Sequence, residues 1–137
     1  MDFEAIQQGL ADAADVITGL QCLPSLSDAI DPPTFAPTEV EGEYDQTFSG
    51  GGDGMVETLF TCGVFTSRGD TEAGRALLVG FINPSGATSV KAALQADKTL
   101  GGAAKTLHVG RFRGMYRLYQ IGGVEYLGAL IDVRVWA

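Results

Sequence analysis

The hydrophobic periods along this chain specify an α+β fold: a mostly antiparallel sheet with helices packed on it, a long β-hairpin with a glycine-rich tip, and a C-terminal β-meander. Helical and strand-like segments are grouped rather than alternating, which separates this class from a parallel α/β arrangement. Clean period-two alternation near residues 39–48 and 124–136 marks strands, and 3.6-period stretches near residues 3–18 and 70–82 mark helices. The 137 residues are one domain's worth, so residues 1–137 are expected to form a single unit.

Phe3, Ile6, Leu10, Ala13 or Ala14 and Ile17 recur at helical spacing. Asp2 stands where it can cap the start and Gly19 where a helix stops, so the first helix is expected over residues 3–18. A short apolar strand is expected at Leu20–Leu23. Residues 24–38 hold Pro24, Pro32, Pro33 and Pro37 and read as an irregular surface segment, because proline lacks an N–H and restricts its predecessor. In residues 39–48, Val40, Tyr44 and Phe48 point one way. Glu39, Glu41, Glu43 and Asp45 point the other, so four carboxylates line one face of one strand. Gly50, Gly51, Gly52, Asp53 and Gly54 form a hairpin tip. Residues 55–67 are apolar on both faces and read as a central strand.

Asp70 or Thr71 is placed to cap a helix through Ile82 that turns Ala73, Leu77, Leu78, Phe81 and Ile82 inward; Asn83-Pro84 ends it. Ser89 caps a short helix to Asp97 with Val90, Ala93 and Leu94 inward, and Gly101-Gly102 breaks the chain. Three strands follow, at 105–112, 115–121 and 124–136, with turns at Arg113-Gly114 and Gly122-Gly123. In the last strand Leu127, Ala129, Ile131, Val133 and Val135 share a face, with Asp132 and Arg134 opposite.

At 45% apolar and 19% charged residues, disorder over the whole length is excluded. No run of about 20 apolar residues exists to span a membrane. The start Met1-Asp2-Phe3-Glu4 lacks the basic region of a signal peptide. Cys22 and Cys62 make no disulfide framework and suit a reducing cytoplasm. The net charge of −8 is unevenly spread: residues 1–67 carry 12 carboxylates and no Lys or Arg, and residues 68–137 carry 5 carboxylates and 9 bases. Such segregation serves solubility, or a subunit whose opposite charges meet on neighbouring copies. A groove-binding DNA protein would have a net basic footprint instead.

Signals for catalysis and cofactors are sparse. The single histidine, His108, has no ligand partners at zinc spacing and reads as an ordinary sheet residue. Glutamates on alternate positions of a straight strand lie about 7 Å apart, too spread for a calcium loop. There is no nucleophile elbow, and the glycine tip is followed by a strand without Lys-Ser/Thr, so it is no phosphate loop. No metal, cofactor or catalytic residue is expected. Arg111, Arg113 and Arg117, interleaved with Phe112, Tyr116 and Tyr119, suit a solvated hairpin, a subunit interface or stacking on nucleic acid. The acidic face reads either as protection of a sheet edge or as a wall that repels a passing polyanion. That repulsion reaches only about 8 Å at physiological salt, so the wall would act only in a narrow channel. The glycine tip is a plain turn or a partner-contact loop.

The ordered set Ile17-Thr18-Gly19-Leu20, Ile30-Asp31-Pro32-Pro33, Glu43-Tyr44-Asp45-Gln46-Thr47-Phe48, Ser67-Arg68-Gly69-Asp70, Asn83-Pro84-Ser85-Gly86, Ser89-Val90-Lys91-Ala92-Ala93-Leu94, Leu100-Gly101-Gly102 and Ile121-Gly122-Gly123-Val124-Glu125-Tyr126-Leu127-Gly128 runs nearly the whole chain. In order and spacing it resembles the tail terminator proteins of long-tailed, siphovirus-type phages, especially those of actinobacteria. The tip departs from that pattern, carrying Asp53 where an arginine is common. The resemblance implies a lambda-type terminator fold and a structural virion protein of the phage neck, assembled in the host cytoplasm. It implies a hexameric ring that stops tail-tube polymerisation. The implied partners are other copies of the chain, the major tail tube protein and the head-completion or stopper protein, with DNA passing through the lumen unread. It also makes Glu39, Glu41, Glu43 and Asp45 candidates for the lumen. The competing readings are a stopper protein of the connector, a small enzyme and a monomeric binding module.

Overall fold

A computed structural model describes residues 2–42, 57–68 and 71–137. The elements run α1 (Phe3–Ala14), β1 (Gln21–Cys22), β2 (Thr34–Gly42), β3 (Glu57–Ser67), α2 (Thr71–Ile82), α3 (Val90–Ala96), a 3-10 turn (Leu100–Gly102), β4 (Thr106–Ile121) and β5 (Val124–Trp136). The fold is α+β: a five-stranded sheet in the order β1-β2-β3-β5-β4 with the helices packed against it. Among the described residues, only the short β1–β2 pairing is parallel.

The sheet has two unlike faces. Phe60, Cys62 and Val64 of β3 and Leu127, Ala129, Ile131, Val133 and Val135 of β5 form one core with Ile6 and Leu10 of α1, Leu78 and Phe81 of α2, and Val90 and Leu94 of α3. The alternation expected in β5 is therefore the core face, and β3 is central as expected, between β2 and β5. On the opposite face, the far end is a second, small core of Phe65, Ile121 and Tyr126. Ile30 of the proline-rich loop and Tyr119 pack on it.

The local signals set the helices. The Asp2 carboxylate accepts from the Ala5 N–H at 3.1 Å, and the Ser89 hydroxyl accepts from the Ala92 N–H at 3.1 Å. α1 ends at Ala14, four residues before the expected 18. The next residues are Asp15-Val16-Ile17-Thr18, whose β-branched members are poor helix formers. Ile17 stays buried from the following turn. In α2, Gly74 and Leu78 face inward, while Ala73 and Leu77 lie at the surface, contrary to expectation. The missing side chain at Gly74 lets the helix approach the Ser67 carbonyl and the Thr66 hydroxyl, where an added Cβ would sit at 3.0 Å from each.

Two further expectations are corrected. The segment 24–38 is not irregular throughout, because Thr34–Pro37 are buried residues of β2. β1 covers the outer side of β2 only at Thr34 and Phe35, so Pro37 sits on an edge strand, where its missing N–H costs no ladder bond. The expected turn at Arg113-Gly114 is also absent. Thr106–Ile121 form one long strand, β4, which pairs with β5 on both sides of residues 114–116. The irregularity is a bulge between Arg113 and Arg117, where Gly114 and Tyr116 take φ of +62° and +66°. The turn at Gly122-Gly123 stands where it was expected. Tyr44, Phe48, Asp70 and the glycine tip lie outside the described residues.

Candidate functional site: the uncovered half of the sheet

The face opposite the helices is polar at its near end. Antiparallel partners share a face, so Glu39, Thr61, Asp132 and Arg111 form one row across four strands. Glu41, Leu59, Arg134 and His108 form the next. Glu39 and Glu41 thus point one way, as their alternation specifies, and both are exposed. Val40 points the other way, beside Phe60, and is 38% exposed. Glu43, Asp45 and the tip Gly50, Gly51, Gly52, Asp53 and Gly54 lie outside the described residues.

Asp132 is the centre of this surface. It is 4% exposed, the buried acid of a strand whose other charged residues, Glu125 and Arg134, are exposed. A bulge between Val109 and Arg111 brings Arg111 directly opposite it, and Arg113 reaches it from the neighbouring pair. Arg111 Nε donates to Asp132 Oδ2 at 2.5 Å. Arg113 Nε donates to both carboxylate oxygens at 3.3 Å. The Thr61 hydroxyl donates to Oδ1 at 3.4 Å. Burial pushes the Asp132 carboxyl up, but the hydrogen bonds and charges of Arg111 and Arg113 outweigh it and hold the group below the ordinary carboxylate range. Asp132 is therefore an ionised anchor at neutral pH. Two guanidiniums share its one negative charge, so the β4 side of the face keeps a cationic surplus. Leu59, His108, Gly110, Arg111, Asp132 and Arg134 line a hollow of about 460 Å³ there.

The aromatic and basic residues of β4 separate into two groups. Tyr119 is engaged inside the chain: its ring meets Phe65 edge-on at 5.6 Å, and its hydroxyl donates to the Gly114 carbonyl at 2.9 Å. Burial pushes its phenol up, with Arg117 and Arg113 pulling the other way. Tyr116 lies under the Arg75 guanidinium, 5.3 Å from the ring centre. Phe112 is 56% exposed on the helix side of β4. It walls a largely apolar hollow of about 220 Å³ with Phe81, Ile82, Pro84, Val109 and Ile131. Arg111, Phe112 and Arg113 therefore lie on a strand edge and not around a hairpin turn as expected.

The two thiols are poor nucleophiles. Burial, with some help from Asp15, pushes Cys22 up to about 12. Cys62 is wholly buried in the main core and is pushed up further by burial and by Asp132. Among the described residues, no group of three His, Cys, Asp or Glu side chains is placed to hold a metal ion. No helix among them is long and apolar enough to cross a membrane.

Sequence reasoning gave no functional weight to Thr61 or Asp132, although an acid inside the apolar run of β5 was a visible signal. Compared with protein families, curated proteins and solved structures, the chain has no match.

Proposed function

We propose that this chain is a structural virion protein of the tail terminator type. It forms a ring, hexameric by resemblance, on the head-proximal end of a siphovirus tail tube, stops tube growth and joins the tail to the head-completion protein. DNA passes through the lumen. The observation that carries this reading is the ordered set of sequence segments spanning nearly the whole chain. The segregation of charge supports it, because a ring of identical subunits is built from heterologous contacts in which one patch meets a different patch. Here acidic Glu39 and Glu41 lie at one side of the sheet and the cationic surplus of Arg111 and Arg113 at the other.

Electron microscopy of the chain mixed with purified tail tubes of its own phage tests the reading. The expected result is a discrete ring at one end of each tube, and tubes that no longer elongate. Rings on heads or portals would move the protein to the connector as a stopper. A monomer that binds neither would overturn the ring altogether.

A further inference from the structure

Among the described residues, both long margins of the sheet lack a strand partner over most of their length, and on β4 the Val109 N–H donates to the Gln95 side chain at 3.3 Å. Among the described residues, no strand pairs with the outer side of β4, and β1 leaves the outer side of β2 open beyond Phe35. An open edge presents backbone donors and acceptors to any strand that fits it. The two edges here carry opposite patterns. On β2 the order is Glu39-Val40-Glu41, with both acids on the uncovered face and Val40 on the helix side. On β4 it is Arg111-Phe112-Arg113, with both bases on the uncovered face and Phe112 on the helix side.

We infer that the β4 edge of one copy pairs with the β2 edge of the next, Val40 opposite Phe112, so that the sheet continues from subunit to subunit. This rests on the ring reading and names its seam. β2 and β4 run antiparallel within one sheet, so side-by-side copies in the same orientation bring them together antiparallel. In that register Glu39 faces Arg113 and Glu41 faces Arg111. Residues directly opposite share a face, so all four charges meet on one side and the two apolar side chains on the other. The exposed Phe112, 56%, and Val40, 38%, then cover one another beside the apolar hollow.

The same pattern disfavours the alternatives. Two β2 edges would set Glu39 against Glu41, and two β4 edges Arg111 against Arg113. Like charges directly opposite destabilise a strand pair. The contact is thus head-to-tail, the type that closes into a ring or runs on as a filament. Glu39 and Glu41 belong to the seam between subunits rather than to the DNA path.

Cysteine cross-linking tests the seam. Directly opposed strand residues have Cα atoms about 4.5–5.5 Å apart, within disulfide range. Val40→Cys and Phe112→Cys are made in the full chain, singly and together, and oxidised with copper–phenanthroline in solution and on tail tubes, with particles imaged in parallel. The expected result is cross-linked dimers when the two single variants are mixed and none from either alone. The double variant gives a ladder ending at one closed size. Adding Glu39→Lys and Glu41→Lys to Val40→Cys lowers the dimer yield about tenfold at low salt. Rings that never cross-link would overturn the seam and leave the ring standing. Dimers from one single variant alone would also overturn it. A ladder without an end would keep the seam and overturn the ring. Neither cross-link nor ring would overturn both.

Discussion

Arg111 and Asp132 face each other across the β4–β5 ladder, and the Nε of the arginine donates to the carboxylate at 2.5 Å. The pair exists because β4 carries one more residue than β5 between Val109 and Arg111. Without that bulge Gly110, which has no side chain, would stand opposite the one buried acid of the strand.

The pair gives stability a defined pH dependence. The folded carboxyl of Asp132 lies below its unfolded value of about 3.9. Its contribution is therefore complete above about pH 4 and is lost as pH falls through the lower, folded value. Asp132→Asn is expected to cost about 1–2 kcal/mol at pH 7. That is less than for a fully buried pair, because the arginine side chains are 69% and 42% exposed. Urea denaturation should show the gap to the parent chain narrowing below about pH 4. A gap that stays constant down to about pH 2 would show that this carboxylate is not the linked group.

Phe65 lies across two glycines in the small core on the face opposite the helices. A Cβ on Gly63 would come within 2.4 Å of its ring, and one on Gly128 within 2.8 Å of the ring and 2.9 Å of the Val64 carbonyl. Phe65 is 2% exposed and cannot swing away. Gly128→Ala should cost about 1–3 kcal/mol, or roughly 3–10 °C in Tm for a chain of this length. Thermal unfolding followed by circular dichroism measures it, and an unchanged Tm would mean the ring has room to shift.

Ser89 both caps α3 and donates to the Asn83 carbonyl at 2.5 Å, tying the α2–α3 connection together. Ser89→Ala removes both bonds at a site only 1% exposed. The expected loss is about 1–2 kcal/mol, while Ser89→Thr should keep most of the stability. Equal losses for the two variants in urea titrations would point to packing, not to the hydroxyl.

The thiols should be slow to react. At pH 8 a group near 12, as at Cys22, has about a thousandfold less thiolate than an ordinary cysteine. Cys62 is further shielded in the core. Ellman's reagent is expected to modify neither thiol within minutes in the native chain and both at once in guanidinium. Rapid native modification at Cys22 would show that its neighbourhood opens. Slow native thiols also keep the engineered pair at Val40 and Phe112 readable.

What lay open in the sequence was local. The Asp2 and Ser89 caps, the alternation of β5 and the two-faced apolar run of β3 each follow from contacts within a few residues or from a single period. The alternation of Glu39, Val40 and Glu41 likewise puts the two acids on one side whatever strand lies beside them. The tertiary structure decided everything that depends on pairing. Gly114 looked like a turn and is a bulge, because a glycine with positive φ serves either purpose and only the β5 partner selects between them. Pro37 looked like a break and is an edge residue, because only the strand order leaves its outer side unpaired. The two arginines meet one aspartate, and the acids meet the same face as the bases, through strand order and register. Those are long-range quantities that no window of neighbouring residues contains.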